Sequence, residues 1–111
     1  MIDWPRVAEL RDEIGATEFD EVVPLFLQEV ESIIADLPLL LHSAPEAEAA
    51  LHSLRGSALN LGFSAFAAIC DEYEALARAG QTAAIDMSLI AGHYEQSREA
   101  FLRDLPNQLA A

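Results

Sequence analysis

His52, Arg55 and Gly56 lie within the stretch His52-Ser53-Leu54-Arg55-Gly56-Ser57-Ala58-Leu59-Asn60-Leu61-Gly62. An imidazole nitrogen is a nucleophile near neutral pH, and it can take up a phosphoryl group if it faces solvent. With helical periodicity, Leu51, Leu54, Ala58 and Leu61 form the inward stripe. His52 is offset from that stripe and points outward. Arg55, three residues on, occupies a neighbouring part of the same surface, where a guanidinium can stabilise phosphate oxygens without accepting the phosphoryl group. Gly56 is one turn beyond His52. A missing side chain there leaves room for a phosphoryl group and a docking partner, at a helix-propensity cost of about 1 kcal/mol. Each residue also has a plainer reading: Arg55 as a solvating charge, Gly56 as a close helix crossing, Ser57 as a back-bonding hydroxyl, and Asn60 with Gly62 as a helix break. Ser57, Asn60 and Gly62 are therefore taken as supporting residues.

The elements that must carry this stretch are helical. Asp3-Trp4-Pro5 marks a helix start, Val7, Leu10 and Ile14 follow at helical spacing, and Gly15 ends the segment. Thr17 through Asp20 offers a capping-box arrangement for a long second helix. Its stripe is Phe19, Val22 or Val23, Phe26, Val30, Ile33 and Leu37, and Pro38 bends or stops it. Ser43, Pro45 and Glu46 give the clearest helix start in the chain, launching the histidine helix. After Gly62 the stripe Phe66, Ile69, Cys70, Tyr73 and Leu76 predicts a fourth helix ended by Gly80. Thr82 then caps a last helix with Ile85, Leu89 or Ile90, Tyr94, Phe101 and Leu105 on its stripe, stopped by Pro106. Gly92 weakens its middle. The expectation is an all-α, antiparallel four-helix bundle with a short additional N-terminal helix, forming one domain over residues 1–111.

Composition excludes several classes. The chain has 111 residues, 52% of them hydrophobic, and 19 acidic residues against six basic ones give a net charge of −13. That charge repels phosphate backbones and anionic lipid, so neither nucleic acid nor membrane is an expected partner. No charged leader or membrane-length apolar run is read from the sequence. A single cysteine, Cys70, rules out an internal disulfide and fits a buried thiol in a reducing, cytoplasmic compartment. His42 and His93 make no convincing metal set with His52, the acidic pairs are taken as solvated helix faces, and no Gly-rich phosphate cradle suggests a kinase. Phe63 and Phe66 are core residues by default, with an apolar docking surface as the alternative.

The HxxRGSxxxxG pattern at His52, Arg55, Gly56, Ser57 and Gly62 resembles the histidine-containing phosphotransfer (HPt) domain family. The resemblance extends to the acidic helix before the motif and the two helices after it. It implies a mostly monomeric helical bundle that carries phosphate between aspartates on response-regulator receiver domains, including the receiver of a hybrid histidine kinase. His52 then matches the phosphoaccepting histidine and Gly56 the clearance glycine. Arg55 stands where lysine is more frequent; it keeps the positive charge, but a rigid donor fork replaces a point charge. The resemblance also directs attention to a polar residue on the preceding helix, for which Gln28 is the candidate. No intrinsic cofactor is implied, and Mg2+ belongs to the receiver's active site. The chain is expected to be a covalent phosphoryl carrier without autonomous kinase or ATPase activity. The alternatives are a non-catalytic adaptor with the same surface, and a dimeric histidine-kinase fragment, which needs a dimerisation unit and an ATP-binding partner.

Overall fold

A computed structural model describes residues 1–109. Five helices follow in order: α1 (Trp4–Ile14), α2 (Ala16–Leu40), α3 (Ala44–Asn60), α4 (Ser64–Arg78) and α5 (Met87–Gln108). Helices α2 to α5 form the bundle, whose long dimension is 46 Å against 20 and 19 Å across. No strand occurs among the described residues; one isolated bridge joins Ile2 to Phe63. The helices bury their apolar stripes on one another, the arrangement expected for an all-α chain with short connections.

Helix α1 begins as its sequence dictates. The Asp3 carboxylate accepts from the Arg6 amide at 3.2 Å, a proline occupies the first turn, and Val7 and Leu10 are buried. Gly15, at φ +88°, ends α1 and is also the N-cap of α2, so Thr17 lies inside α2 and forms no capping box. Phe19, Val23, Leu27, Val30 and Leu37 are the buried face of α2. Leu27 replaces the expected Phe26, which is only half-buried, because a 3.6-residue period drifts off a strict three-four pattern. Pro38 does not end the helix, which runs on to Leu40. Both Pro24 and Pro38 face solvent. There the carbonyl that each leaves without an amide donor is open to water, which offsets part of the cost of a helical proline.

Ser43 caps α3 by accepting from the Glu46 amide at 3.4 Å. The reciprocal half of the capping box is not made; the Glu46 carboxylate lies 3.5 Å from His42 Nε2 instead. Ala47, Leu51, Leu54 and Ala58 line the inner face of α3. At its end the Phe63 amide donates to the Ala58 carbonyl at 2.8 Å and the Gly62 amide to the Leu59 carbonyl at 3.2 Å, with Gly62 at φ +80°. This is a Schellman closure. Thr82 opens only a short 3-10 turn, Thr82–Ala84. The cap of α5 is Asp86, whose carboxylate accepts from the Leu89 amide at 3.1 Å. Pro106 likewise does not stop α5, which continues to Gln108.

The core is a single cluster whose aromatic members include Phe19, Phe63, Phe66, Tyr73, Tyr94 and Phe101, Phe63 and Phe66 being core rather than surface. Trp4 of α1 stacks on Phe101 of α5 at 5.7 Å between ring centroids, which pins α1 across the bundle. Tyr94 donates its hydroxyl hydrogen to Glu31 at 2.6 Å, tying α5 to α2. Burial first and that acidic partner second hold its hydroxyl well above the usual range. Cys70 is buried, and burial pushes its thiol up to about 12, so it stays protonated and unreactive at neutral pH. The domain extent 1–111 has its last two residues outside the described ones.

At Gly62, the Asp3 amide donates to the Gly62 carbonyl at 2.7 Å. A Cβ there would lie 2.8 Å from the Asp3 carbonyl oxygen and 2.8 Å from Val7 Cγ2. Gly62→Ala therefore adds a clash between α1 and the α3 terminus to the strain of a positive φ, a cost of roughly 1–3 kcal/mol. At about 4–8 °C per kcal/mol for a domain of this size, the thermal midpoint followed by circular dichroism falls by about ten degrees. Gly80→Ala, at φ +76° but with nothing within 4 Å of its new Cβ, is expected to lose less.

Candidate functional site

The histidine is set midway along α3, which is held at one end by the Ser43 cap and at the other by the Gly62 closure. Leu51 and Leu54 are fully buried on either side of it in sequence. The opposite face of α3 is therefore presented outward, and the His52 side chain is 65% exposed. Arg55 is half-buried beside it.

The partner beneath His52 is Glu74 on α4. Its side chain is only 5% exposed, and its Oε2 lies 3.0 Å from His52 Nδ1. Three cationic or donor groups converge on this carboxylate: His52 Nδ1, Arg55 Nε at 3.5 Å from Oε1, and the Arg78 NH2 group, which donates to Oε2 at 3.2 Å. Arg78 in turn donates from Nε to Glu48 of α3 at 3.0 Å. Buried Oε1 accepts no hydrogen bond. A carboxylate this deeply buried is costly unless it is paired, and the convergence of cations supplies the pairing.

Two groups compete for Nδ1. The Glu74 carboxylate accepts only, so its contact requires a proton on Nδ1, whereas the Arg55 NH2 group, 3.2 Å away, donates only and requires a bare Nδ1. Arg55 has another acceptor, for its NH1 group donates to Asp71 Oδ1 at 2.7 Å. Glu74, only 5% exposed, has far less access to water in exchange. The hydrogen-bond balance thus favours the proton on Nδ1, leaving Nε2 with its lone pair. Among the described residues no hydrogen bond is made to Nε2. This is the tautomer a nucleophilic imidazole needs.

The surroundings are open. A basin of about 470 Å³ is lined by Pro45, Glu48, Ala49, His52, Ser53 and Glu74. To one side lies a groove of about 350 Å³ between α2 and α3, with Ile33, Leu40, Ala49 and Ala50 among its walls. On the other side a groove between α3 and α4 runs past Arg55, Leu59 and Asp71. Gly56 is exposed, and nothing lies within 4 Å of where its Cβ would be, so no helix crosses closely there and the glycine leaves the approach clear.

Of the residues singled out in the sequence, the structure brings together His52 and Arg55, with Gly56 alongside. Gln28 is exposed on α2, and no hydrogen bond joins it to His52; the α2 residues in the neighbouring groove are Ile33, Asp36 and Leu40. The polar side chain that contacts the His52 ring from another helix is Glu74 of α4. Ser57 is half-buried, Asn60 accepts from Arg6 at 3.5 Å, and Gly62 holds α1 in place. His42 lies in the α2–α3 turn, its Nδ1 2.6 Å from the Leu39 carbonyl, and is far along the chain from the others. Among the described residues no group of three or more His, Cys, Asp or Glu side chains is disposed to hold a metal ion.

Glu74 escaped the sequence reading because the acids were taken as solvated. The signal for it was the spacing Ala67, Cys70, Glu74, Ala77, which places an acid on the buried stripe of α4.

A family model for the Hpt domain matches residues 21–111 of the chain. The match spans the four bundle helices, and the chain belongs to the Hpt domain family, whose members carry phosphoryl groups on histidine in phosphorelays. Helix α1 lies before the matched region. No curated protein and no solved structure gave a match. Among the described residues no helix is long and apolar enough to cross a membrane.

The open space at Gly56 separates stability from access. Gly56→Ala is expected to raise stability by up to about 1 kcal/mol, through helix propensity alone. Gly56→Leu, equally well folded by circular dichroism, is expected to slow phosphoryl transfer because its side chain enters the approach to His52. Parental transfer rates in an intact Gly56→Leu variant would remove the clearance role.

Proposed function

We propose that this chain is a phosphoryl carrier whose acceptor is Nε2 of His52, loaded from the aspartyl phosphate of a response-regulator receiver domain and unloaded onto the aspartate of another. The observation that carries the reading is the contact between His52 Nδ1 and buried Glu74, which leaves Nε2 unpaired on an exposed surface. In the forward step the Nε2 lone pair forms a bond to phosphorus while the bond from phosphorus to the receiver's carboxylate oxygen breaks. The departing carboxylate keeps that electron pair. The Nδ1 proton stays on the ring, shared with Glu74, whose negative charge offsets the positive charge that the ring acquires. The return step is the same sequence reversed.

Arg55 is the phosphate-stabilising cation of this reading, with Arg78 reinforcing Glu74 from behind. Mg2+ is assigned to the receiver, where it offsets phosphate charge, and none is assigned to this chain. With no phosphate cradle of its own, the chain acts as a carrier rather than a kinase or ATPase. The open grooves on both sides of His52 support docking of a receiver, including one within a hybrid histidine kinase. The role calls for a cytoplasmic monomer, and a chain with one buried thiol and no disulfide is suited to that compartment.

Incubation with separately phosphorylated receiver domains, followed by mapping of acid-labile phosphate, tests the assignment. Label is expected at His52 and nowhere else. His52→Gln is expected to abolish it while leaving helical content unchanged, since the side chain faces solvent. A folded His52→Gln variant that still takes up phosphate would overturn the proposal.

A further inference from the structure

At rest Arg55 meets the imidazole at Nδ1 and is tied to two carboxylates. Its guanidinium makes three contacts: NH1 with Asp71 Oδ1 at 2.7 Å, Nε with Glu74 Oε1 at 3.5 Å, and NH2 against His52 Nδ1 at 3.2 Å. Only the last of these touches the ring, at Nδ1, and among the described residues no hydrogen bond joins Arg55 to Nε2. To serve a phosphoryl group on Nε2, the fork must exchange one of its present partners for the phosphate oxygens. The shortest contact, and the one that holds the far tip of the fork, is to Asp71.

Asp71 differs from Glu74 in one decisive respect. Its side chain is 65% exposed where that of Glu74 is 5% exposed. Releasing Arg55 from Asp71 costs little, because water takes over an exposed carboxylate and exposed ion pairs contribute only about 0–1 kcal/mol. Releasing it from Glu74 takes one of two arginines from a buried carboxylate, which costs more. A phosphoryl group, with nearly two negative charges and three acceptor oxygens, outcompetes a single solvated carboxylate for a guanidinium fork.

We infer that Asp71 is a positioning residue that holds Arg55 away from the phosphoryl position while His52 is unloaded and gives it up when phosphate arrives. The inference rests on the phosphoryl-carrier reading above. Its consequence is a phosphohistidine held less firmly than it would be by an unrestrained arginine, which keeps the group transferable to the next receiver. Asp71 acts only through Arg55 and touches no reacting atom.

The test is the equilibrium distribution of phosphate between one phosphorylated receiver domain and His52, measured for the full chain and its variants. Asp71→Asn is expected to shift the distribution toward His52 by roughly two- to five-fold, the range an exposed ion pair allows. Asp71→Glu, which restores the charge, should return the parental ratio. Glu72→Gln, which removes one charge from the neighbouring exposed position of α4, controls for net charge and should shift it less. In an Arg55→Gln background the Asp71→Asn shift should shrink to the Glu72→Gln value. An Asp71→Asn shift no larger than that of Glu72→Gln, or one that persists undiminished without Arg55, would overturn the inference while the carrier reading stands. A parent domain that accepts no phosphate from competent receivers would overturn both.

Discussion

The site depends on one buried carboxylate. Glu74 is the charged one of two buried polar residues among the described residues, the other being Ser97, and a buried charge persists only when it is paired. Its pairing draws three groups into fixed places: His52 from the middle of α3, Arg55 one turn later, and Arg78 one turn along α4. Arg55 and Arg78 offset the charge of Glu74, while its contact with His52 favours one imidazole tautomer and leaves Nε2 free of the carboxylate. An ion cluster of this kind is weak evidence for stability, since an apolar residue of similar size often packs as well. Its contribution is orientation. On the proposed reading the histidine is oriented for attack before any partner arrives, the condition under which a positioned nucleophile gains most.

The surrounding charge gives that cluster its chemical meaning. The chain carries 19 acidic residues and only six basic ones, all of them arginine. Two of the six are committed to Glu74, and through it to the histidine. Arginine suits this position because its planar fork serves several acceptors at once, as Arg55 does with Asp71 and Glu74. The field of the chain as a whole repels a phosphorylated partner, and both arginines beside His52 are themselves held by carboxylates, Arg55 by Asp71 and Glu74, and Arg78 by Glu48 and Glu74. Apolar groove walls on either side of His52, with Leu59 53% exposed on one of them, add surface that a receiver can cover.

Much of this was legible in the sequence. The stripe Leu51, Leu54, Ala58 and Leu61 fixed which face of α3 His52 could occupy, and Gly62 as a helix stop followed from its need for a positive φ. Where the sequence reading failed, a local rule was overridden by position. Proline rules predict a bend or stop at Pro38 and a stop at Pro106, yet the helices run on to Leu40 and Gln108, with both prolines on exposed last turns. Thr17 and Thr82 had the right chemistry for caps, but Gly15 and Asp86 occupy the N-cap positions. Glu74 was hidden by its company: in so acidic a chain a carboxylate is expected to be wet, and only its phase relative to Cys70 and Ala77 marks it as buried. Hydrogen bonding between helices is a tertiary property, and no spacing along α3 alone could have indicated that a partner for His52 would come from α4.

The central claim is that Glu74 fixes the proton on Nδ1 of His52 and leaves Nε2 bare. Long-range proton–nitrogen correlation spectra of the nitrogen-labelled chain read this directly, because protonated and unprotonated ring nitrogens resonate in separate regions. At a pH where the ring is neutral, the account predicts a protonated Nδ1 and an unprotonated Nε2 for His52, with the preference lost in Glu74→Leu. A neutral His52 whose proton resides mainly on Nε2 in the parent chain would contradict it.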